Sequence, residues 1–335
     1  MLEQMVDNAA LFCCPVCRGT LQINTDDLCC LNCLRHYQVE DGIPLLFLPS
    51  EGDHAREKVE GAVKSFYEQI PFPNYEEFEN ISDLIQKARQ NLFLRLLNEQ
   101  IPFNIKVLEV GCGTGQLSNF LGVSQRAVFG TDMSVPSLKL AQEFKQNNKL
   151  ERAGFYQMNL FRPIFKEESF SLVICNGVLH HTGDPFGGFQ TISRLVKRGG
   201  YVIIGLYNKF GRFATDMRRR LLKITNFPLN FLDPLLADKK RGGLRKKIWF
   251  MDQYRNPHES EHTIGEVLKW FEQTGFDFVN SIPKIRVFEG ISEKEKLFQV
   301  QAKGNLWDHS IMQACFMFTG SREGGLFLMI GRRRA

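Results

Sequence analysis

Long apolar runs are missing from this 335-residue chain, and none approaches the roughly 18 to 20 residues that a membrane-spanning helix needs. No secretory signal is expected either, because Met1, Leu2, Glu3 and Gln4 begin no basic region followed by an apolar stretch; the expected location is cytoplasmic. Compositional bias is lacking too. Hydrophobic residues make up 43% and charged residues 24%, which excludes a disordered, collagenous or repeat-dominated chain. Charge of one sign is scarce: 42 basic against 37 acidic side chains leave +5, too little to imply an anionic partner by itself. Nine cysteines are too few and too unevenly spread for a secreted disulfide scaffold. The length exceeds what one small domain needs, so a core with an attached module or a sizeable insertion is expected.

What is present is concentrated. Six of the cysteines fall between Cys13 and Cys33, including the hooks Cys14-Pro15-Val16-Cys17 and Cys30-Leu31-Asn32-Cys33. Each hook can turn two thiolates toward one point, so the pair supplies four sulfurs for a closed tetrahedral zinc site; reduced buried cysteines or a redox pair are the competing reading. Cys14, Cys17, Cys30 and Cys33 are the expected ligands, with Cys13 and Cys29 as packing thiols. Four sulfurs leave no position for water or substrate, so such a zinc is structural. The first fifty residues, through the Asp41-Gly42-Ile43-Pro44 run, resemble the small zinc-ribbon proteins that activate tRNA and translation-factor methyltransferases. Leu34 departs from that pattern, since such ribbons commonly carry glycine after the last cysteine.

From Ile105 to Gly205 short apolar runs alternate with longer polar-apolar stretches, the pattern of a parallel sheet covered by helices. The strand candidate Lys106 to Val110 leads into Gly111-Cys112-Gly113-Thr114-Gly115, where glycines permit a tight turn and bring backbone amides near a ligand at a helix N-terminus. A second strand, from Ala127, ends at Asp132, a position suited to ribose hydroxyls. A nicotinamide fingerprint would place its third glycine at Gln116; this chain has Gly-x-Gly-x-Gly with Glu109 ahead of it.

Glu109 to Gly115 resembles the first motif of class I S-adenosylmethionine-dependent methyltransferases, and the resemblance continues in order to Gly205. It implies a Rossmann-like, mostly parallel seven-stranded α/β sheet with helices on both faces. It also implies S-adenosylmethionine as cofactor. Gly111, Gly113 and Gly115 would pass under the methionine and ribose, Asp132 would hold the ribose with Met133 beside it, and Asn159 and Leu160 would lie at the adenine. Glu109 and Asn176 complete the expected cofactor shell. The Lys64 to Tyr75 segment, followed by an amphipathic helical stripe of Ile81, Leu84, Ile85, Ala88, Leu92 and Phe93, resembles the family's lid; Tyr67 and Tyr75 are its candidate aromatics, Tyr67 the one assigned to the cofactor.

Ligands of open α/β sheets lie beyond the carboxyl ends of the strands, so the Asn176 to Pro185 loop should face the transfer site. His180 and His181 are the catalytic candidates there; as neighbours they cannot point the same way from a regular strand. The loop lacks the Asn/Asp-Pro-Pro-aromatic signature of DNA amino methylation and the Pro-Cys nucleophile of cytosine C5 methylation. Between Tyr207 and Phe250, twelve basic and three acidic residues give +9. That segment could neutralise RNA phosphates, meet anionic lipid, grip an acidic metabolite or simply be solvated. His258-Glu259-Ser260-Glu261-His262 mimics a zinc-protease motif, but a capping box at Thr263 to Glu266 starts the following helix after His262. Those residues are better placed at the rim of an acceptor pocket.

The expected organisation is a zinc ribbon at 1–50, a linker and lid at 51–104, the cofactor core at 105–206, a basic insertion at 207–260 and a fold-completing part at 261–335. The expected function is methyl transfer to an acceptor that the sequence leaves open, with RNA, tRNA or rRNA, ranked slightly first and the ribbon and insertion as its phosphate contacts. A small or lipid-like metabolite is the alternative acceptor, and a non-catalytic binding protein the second alternative. Peripheral membrane contact ranks below all of these.

Overall fold

The computed structural model describes residues 2–24, 27–73, 75, 80–225, 233–238, 242–319 and 325–335, without the side chains at 223, 225, 234 and 319. Of the basic insertion, Lys239, Lys240, Arg241 and the side chain of Lys223 lie outside the described residues.

After the short helix α1 (Glu3–Asp7), the N-terminal region forms β1 (Leu21–Ile23), β2 (Asp27–Cys30), β3 (His36–Glu40) and β4 (Ile43–Pro44), an antiparallel sheet in sequence order. Its two cysteine hooks have the same backbone. Arg18 N–H donates to Cys14 O and Leu34 N–H to Cys30 O, each at 2.9 Å, and the donors adopt left-handed φ values of +62° and +57°.

Three helices follow: α2 (His54–Gln69), α3 (Ile81–Gln90) and α4 (Leu92–Gln100). The stripe from Ile81 to Phe93 is therefore two helices rather than one. Asn91 breaks it in extended geometry, and its side-chain oxygen accepts from Leu94 N–H at 3.1 Å as the N-cap of α4.

The large sheet comprises β5 (Lys106–Val110), β6 (Ala127–Asp132), β7 (Ala153–Gln157), β8 (Phe170–Asn176), β9 (Val196–Tyr207), β10 (Phe276–Ile282) and β11 (Leu326–Arg333), with α5 (Gln116–Gly122), α6 (Val135–Asn147) and α7 (Pro185–Ser193) between the first five. Helices α8 (Phe213–Thr225), α9 (Pro234–Ala237), α10 (Gly243–Arg255) and α11 (Ile264–Gln273) precede β10, and α12 (Leu306–Thr319) precedes β11. Strand order is β10-β11-β9-β8-β5-β6-β7, parallel from β9 to β7 and antiparallel at β10 and β11. This is the expected seven-stranded, mostly parallel sheet. Strand β8 shows why it is covered twice: Phe170, Val173 and Cys175 enter the core shared with α7, α11 and the N-terminal region, whereas Leu172 and Ile174 enter the core shared with α3, α4 and α5. Connections diverge at the β5/β8 boundary, opening a crevice at the strands' carboxyl ends.

The N-terminal sheet is fastened to β7, the last strand. Leu45 bridges Gln157, Leu46 N–H donates to Gln157 O at 3.2 Å, and the Arg18 guanidinium donates to Phe165 O at 2.6 Å. Phe12 packs among Phe129, Tyr156 and Phe165 with ring centroids 4.9–6.1 Å apart. An edge strand that would otherwise present unpaired backbone is thereby covered.

Candidate functional site

The crevice is a cavity of about 1080 Å³ running from the glycine loop to the segment that follows β9. At one end, the loop after β5 turns with φ +70° at Gly111 and +53° at Gly113. A side chain at Gly113 would strike the Phe72 carbonyl oxygen, and one at Gly111 would strike Val178, so glycine is needed at both. Gly115 has another task. It caps α5 with φ +72°, packs against Ala141 and Phe155, and does not border the cavity.

Asp132, ending β6, points back to this loop. One carboxylate oxygen accepts Gly113 N–H at 2.9 Å and the other Ser134 N–H at 2.8 Å; withdrawal from water raises its pKa against the pull of these donors. Burial pushes Glu109 up to about 8, despite the Ser118 hydroxyl that donates to it. Met133, Leu160 and Asn176 also border the cavity. So does Asn159, whose amide already has partners. Its nitrogen donates to Leu48 O at 2.8 Å and Glu60 Oε2 at 2.9 Å, and its oxygen accepts from Phe161 N–H at 3.0 Å. Asn159 thus ties the end of the N-terminal region and α2 to the cavity wall.

The two histidines separate. They lie in a 3-10 turn, Leu179–His181, and both are buried. His180 packs on Tyr207 with ring centroids 4.0 Å apart and planes tilted by 32°, has no hydrogen-bond partner for either ring nitrogen among the described residues, and does not border the cavity. His181 does border it, with Nδ1 2.8 Å from His258 O. That carbonyl can only accept, so Nδ1 carries the hydrogen and Nε2 the lone pair. Burial lowers His181's pKa, keeping the ring neutral.

Tyr67, on α2, is shared by both ends of the cavity. Its backbone oxygen accepts from the Ser134 hydroxyl at 3.1 Å, while its phenol donates to Asp252 at 2.9 Å and accepts from Asn256 at 3.0 Å. Tyr75 instead stacks on Phe144 at 4.4 Å and lies outside the cavity wall.

The segment after β9 was expected as a basic surface, and much of it is not. Arg212 is fully buried, with a cation–π contact of 3.9 Å to Tyr207 and a bidentate pair with Glu259; Arg219 joins Glu259 at 2.7 Å, and Arg218 lies 3.7 Å from Asp233. Such arginines need internal acids because a buried cation cannot stay unpaired. Glu259 is consumed there, and His258, Glu259 and His262 are not at the pocket rim. Thr263 and Glu266 form the expected capping box. Charge counting hid what α10 contributes: Arg245, Ile248, Trp249 and Asp252, at helical spacing, face the cavity. Buried Asp252 has no ion pair with lysine or arginine among the described residues; it accepts from Tyr67 and, at 2.9 Å, from Gln253, which also donates to Tyr207 at 2.8 Å.

In the N-terminal sheet, the Cys14, Cys17, Cys30 and Cys33 sulfurs all lie within 4.8 Å of one another, with Cys14–Cys33 at 3.7 Å and Cys17–Cys30 at 3.4 Å. Cys13 and Cys29 stay outside the group. A side chain at Gly19 would crowd the Asn32 Cβ and two of these sulfurs.

A family model described as a methyltransferase domain matches residues 103–275. An uncharacterized protein of Synechococcus is 23% identical over 52% of this chain and 48% of its own. The ubiquinone biosynthesis O-methyltransferase of Haemophilus ducreyi is 30% identical over 32% of this chain and 47% of its own. The chain thus spans about half the length of these curated relatives. Among solved structures, PKMT2 of Rickettsia typhi in complex with AdoHcy is similar in fold, with a TM-score of 0.50 and 12% identity over 74% of this chain and 55% of that one.

Proposed function

Because the chain belongs to the methyltransferase-domain family, we propose that it moves the methyl group of S-adenosylmethionine to a hydroxyl oxygen of a small apolar molecule held in its cavity. The observation that carries this reading is the continuity of that cavity. It joins Gly111, Gly113 and Asp132 to Ile248, Trp249 and Asp252, and its roughly 1080 Å³ exceeds the upper end of the ~300–1,000 Å³ usual for one ligand.

The cradle left by Gly111 and Gly113 and the acid at Asp132 fit the cofactor, with Glu109, Met133, Asn159, Leu160, Asn176 and Tyr67 around it. The cofactor, when bound, supplies a methyl group already activated on a sulfonium. The protein's own work is to place the acceptor, exclude water and take one proton. His181 Nε2 would take the hydroxyl proton of an acceptor held beside it in the cavity, the one proton that methylation of an oxygen releases. Asp252, held by Tyr67 and Gln253, is the nearby negative charge that favours the imidazolium so formed. The O-methyltransferase relative agrees with an oxygen acceptor. RNA is less well supported, since three arginines of the expected phosphate-binding segment turn inward and apolar side chains of α10 line the acceptor end.

Cys14, Cys17, Cys30 and Cys33 are proposed to hold a structural zinc. The Cys14–Cys33 and Cys17–Cys30 separations of 3.7 and 3.4 Å, with all four sulfurs within 4.8 Å of one another, suit a tetrahedron with zinc–sulfur bonds of about 2.3 Å, whose edges are about 3.8 Å.

Labelled-methyl transfer to a small-molecule and lipid extract, against total RNA, tests the reading. Label should appear in the extract, and Asp132→Ala should abolish both transfer and cofactor binding by calorimetry. His181→Ala should lower kcat by roughly 10²- to 10⁴-fold while cofactor affinity holds. Label only in RNA would overturn the acceptor class; no cofactor binding by folded protein would overturn the enzyme.

A further inference from the structure

Helix α8 is oriented against the usual rule for a surface helix. Its charged side chains Arg212, at its entry, and Arg219 face inward and both pair with Glu259, Arg219 also lying 3.8 Å from Asp216, while Phe213, Met217 and Ile224 face solvent with 49%, 44% and 81% of their surface exposed. At 100° per residue these three and the exposed Arg220 fall on one stripe. Large apolar side chains gathered on an exposed face mark an interaction surface rather than ordinary scatter. Exposed basic residues accompany the stripe on the same segment. Besides Arg220, Lys209 just before α8 and Lys247 on α10 are exposed, as is Leu244, 49% exposed at the start of α10.

We infer that the outer face of α8, within the 207–260 segment, docks on an anionic lipid surface, with its stripe entering the interfacial layer and Lys209, Arg220 and Lys247 over the headgroups. One occupant satisfies both features. RNA would neutralise the cations and leave Phe213, Met217 and Ile224 in water, whereas an uncharged apolar partner would leave the cations unmatched. An amphipathic helix with basic flanks meets a bilayer in this way. The same segment's inner face, through Leu235, Ile248 and Trp249, lines the cavity. Resting on the proposed apolar acceptor, the inference therefore deepens it: the acceptor is a membrane-dissolved molecule that reaches the cavity without crossing water.

Co-sedimentation of the full-length, zinc-loaded protein with vesicles tests this. Binding is expected to phosphatidylcholine vesicles containing phosphatidylglycerol, to be weak with phosphatidylcholine alone, and to fall as salt rises. Met217→Glu with Ile224→Glu should weaken it at least about tenfold, and Arg220→Glu at least about fivefold, with thermal midpoint and S-adenosylmethionine affinity unchanged. No sedimentation with anionic vesicles, full binding by the double variant, or displacement from vesicles by tRNA at equal charge would overturn the inference, the last by making this an RNA face. Cofactor binding and methyl transfer are read separately. Vesicle binding without cofactor binding would leave the surface standing and remove the enzymatic reading.

Discussion

Leu34 and Arg18 share one left-handed backbone geometry, yet substitution should act on them in opposite directions. Leu34 is 72% exposed, so Leu34→Gly loses little packing and relieves a conformation that costs an L-residue roughly 1–2 kcal/mol. The more flexible unfolded glycine returns about 0.5–1 kcal/mol of that, so a rise in stability of at most about 1.5 kcal/mol is expected in denaturant titration. Arg18→Gly relieves the same strain but removes donors to Pro163 O and Phe165 O, and should destabilise. Glu109 yields a prediction in pH. Its carboxyl sits near pKa 8 in the fold against 4.5 for an ordinary glutamate, so between those values the folded state holds a proton that the unfolded chain has released. Its contribution therefore falls as pH rises through that window. Unfolding at pH 5 and pH 8 should show a drop that is smaller in Glu109→Gln; an equal drop in both proteins would sink this assignment. At this scale the sequence was readable wherever a motif is local: the hooks, Gly111, Gly113 and Asp132 are each defined within a few positions, although the same spacing also grouped Gly115, which caps α5 and does not border the cavity. It could not separate His180 from His181, because only the 3-10 turn and His258, 77 positions away, decide which ring borders the cavity.

Periodicity fixes the large-sheet strands well, since apolar runs such as Leu172 to Cys175 have no other place to go. The segment from α8 to α10 defeats it. Twelve basic residues suggested one charged surface, but Arg212 and Arg219 are held by an acid some forty positions later in the chain, Glu259, which no window of helical length contains. Glu259→Ala would leave Arg212 buried without its carboxylate and should cost about 3–5 kcal/mol, near the lower end because Tyr207 and Gln253 still touch the guanidinium. Denaturant titration measures it. Gln253 also holds Tyr207 and Asp252 at the cavity, so the variant should lose transfer activity beyond what its folded fraction explains. A surface pair would instead cost about 0–1 kcal/mol, and such a value would place Glu259 in solvent-screened surroundings.

For the molecule as a whole, the sequence suggested a ribbon beside a methyltransferase sheet, and the structure joins their cores. Met5, Phe12, Leu28, Tyr37 and Leu46 belong to the same buried cluster as Phe129, Phe165 and Phe170. Pairing of Leu45 with Gln157 across more than a hundred positions leaves no mark in composition or spacing, which is why only the parts were readable. The junction has an energetic consequence. If zinc holds the four thiols, its binding free energy is part of the folding free energy of the sheet that covers β7, and the chain leaving that sheet continues to Leu48, Ser50 and Glu60, which fasten Asn159 at the cavity. Chelation, or Cys14→Ser with Cys17→Ser, should therefore lower a single thermal transition of the full chain and weaken S-adenosylmethionine binding, although no cysteine of the hooks lines the cavity. Scanning calorimetry with and without chelator, paired with cofactor titration, measures both. A separate low-temperature transition that leaves the main one and the cofactor affinity in place would mean that the N-terminal sheet unfolds alone, and that the shared core contributes little coupling between the four thiols and the cavity.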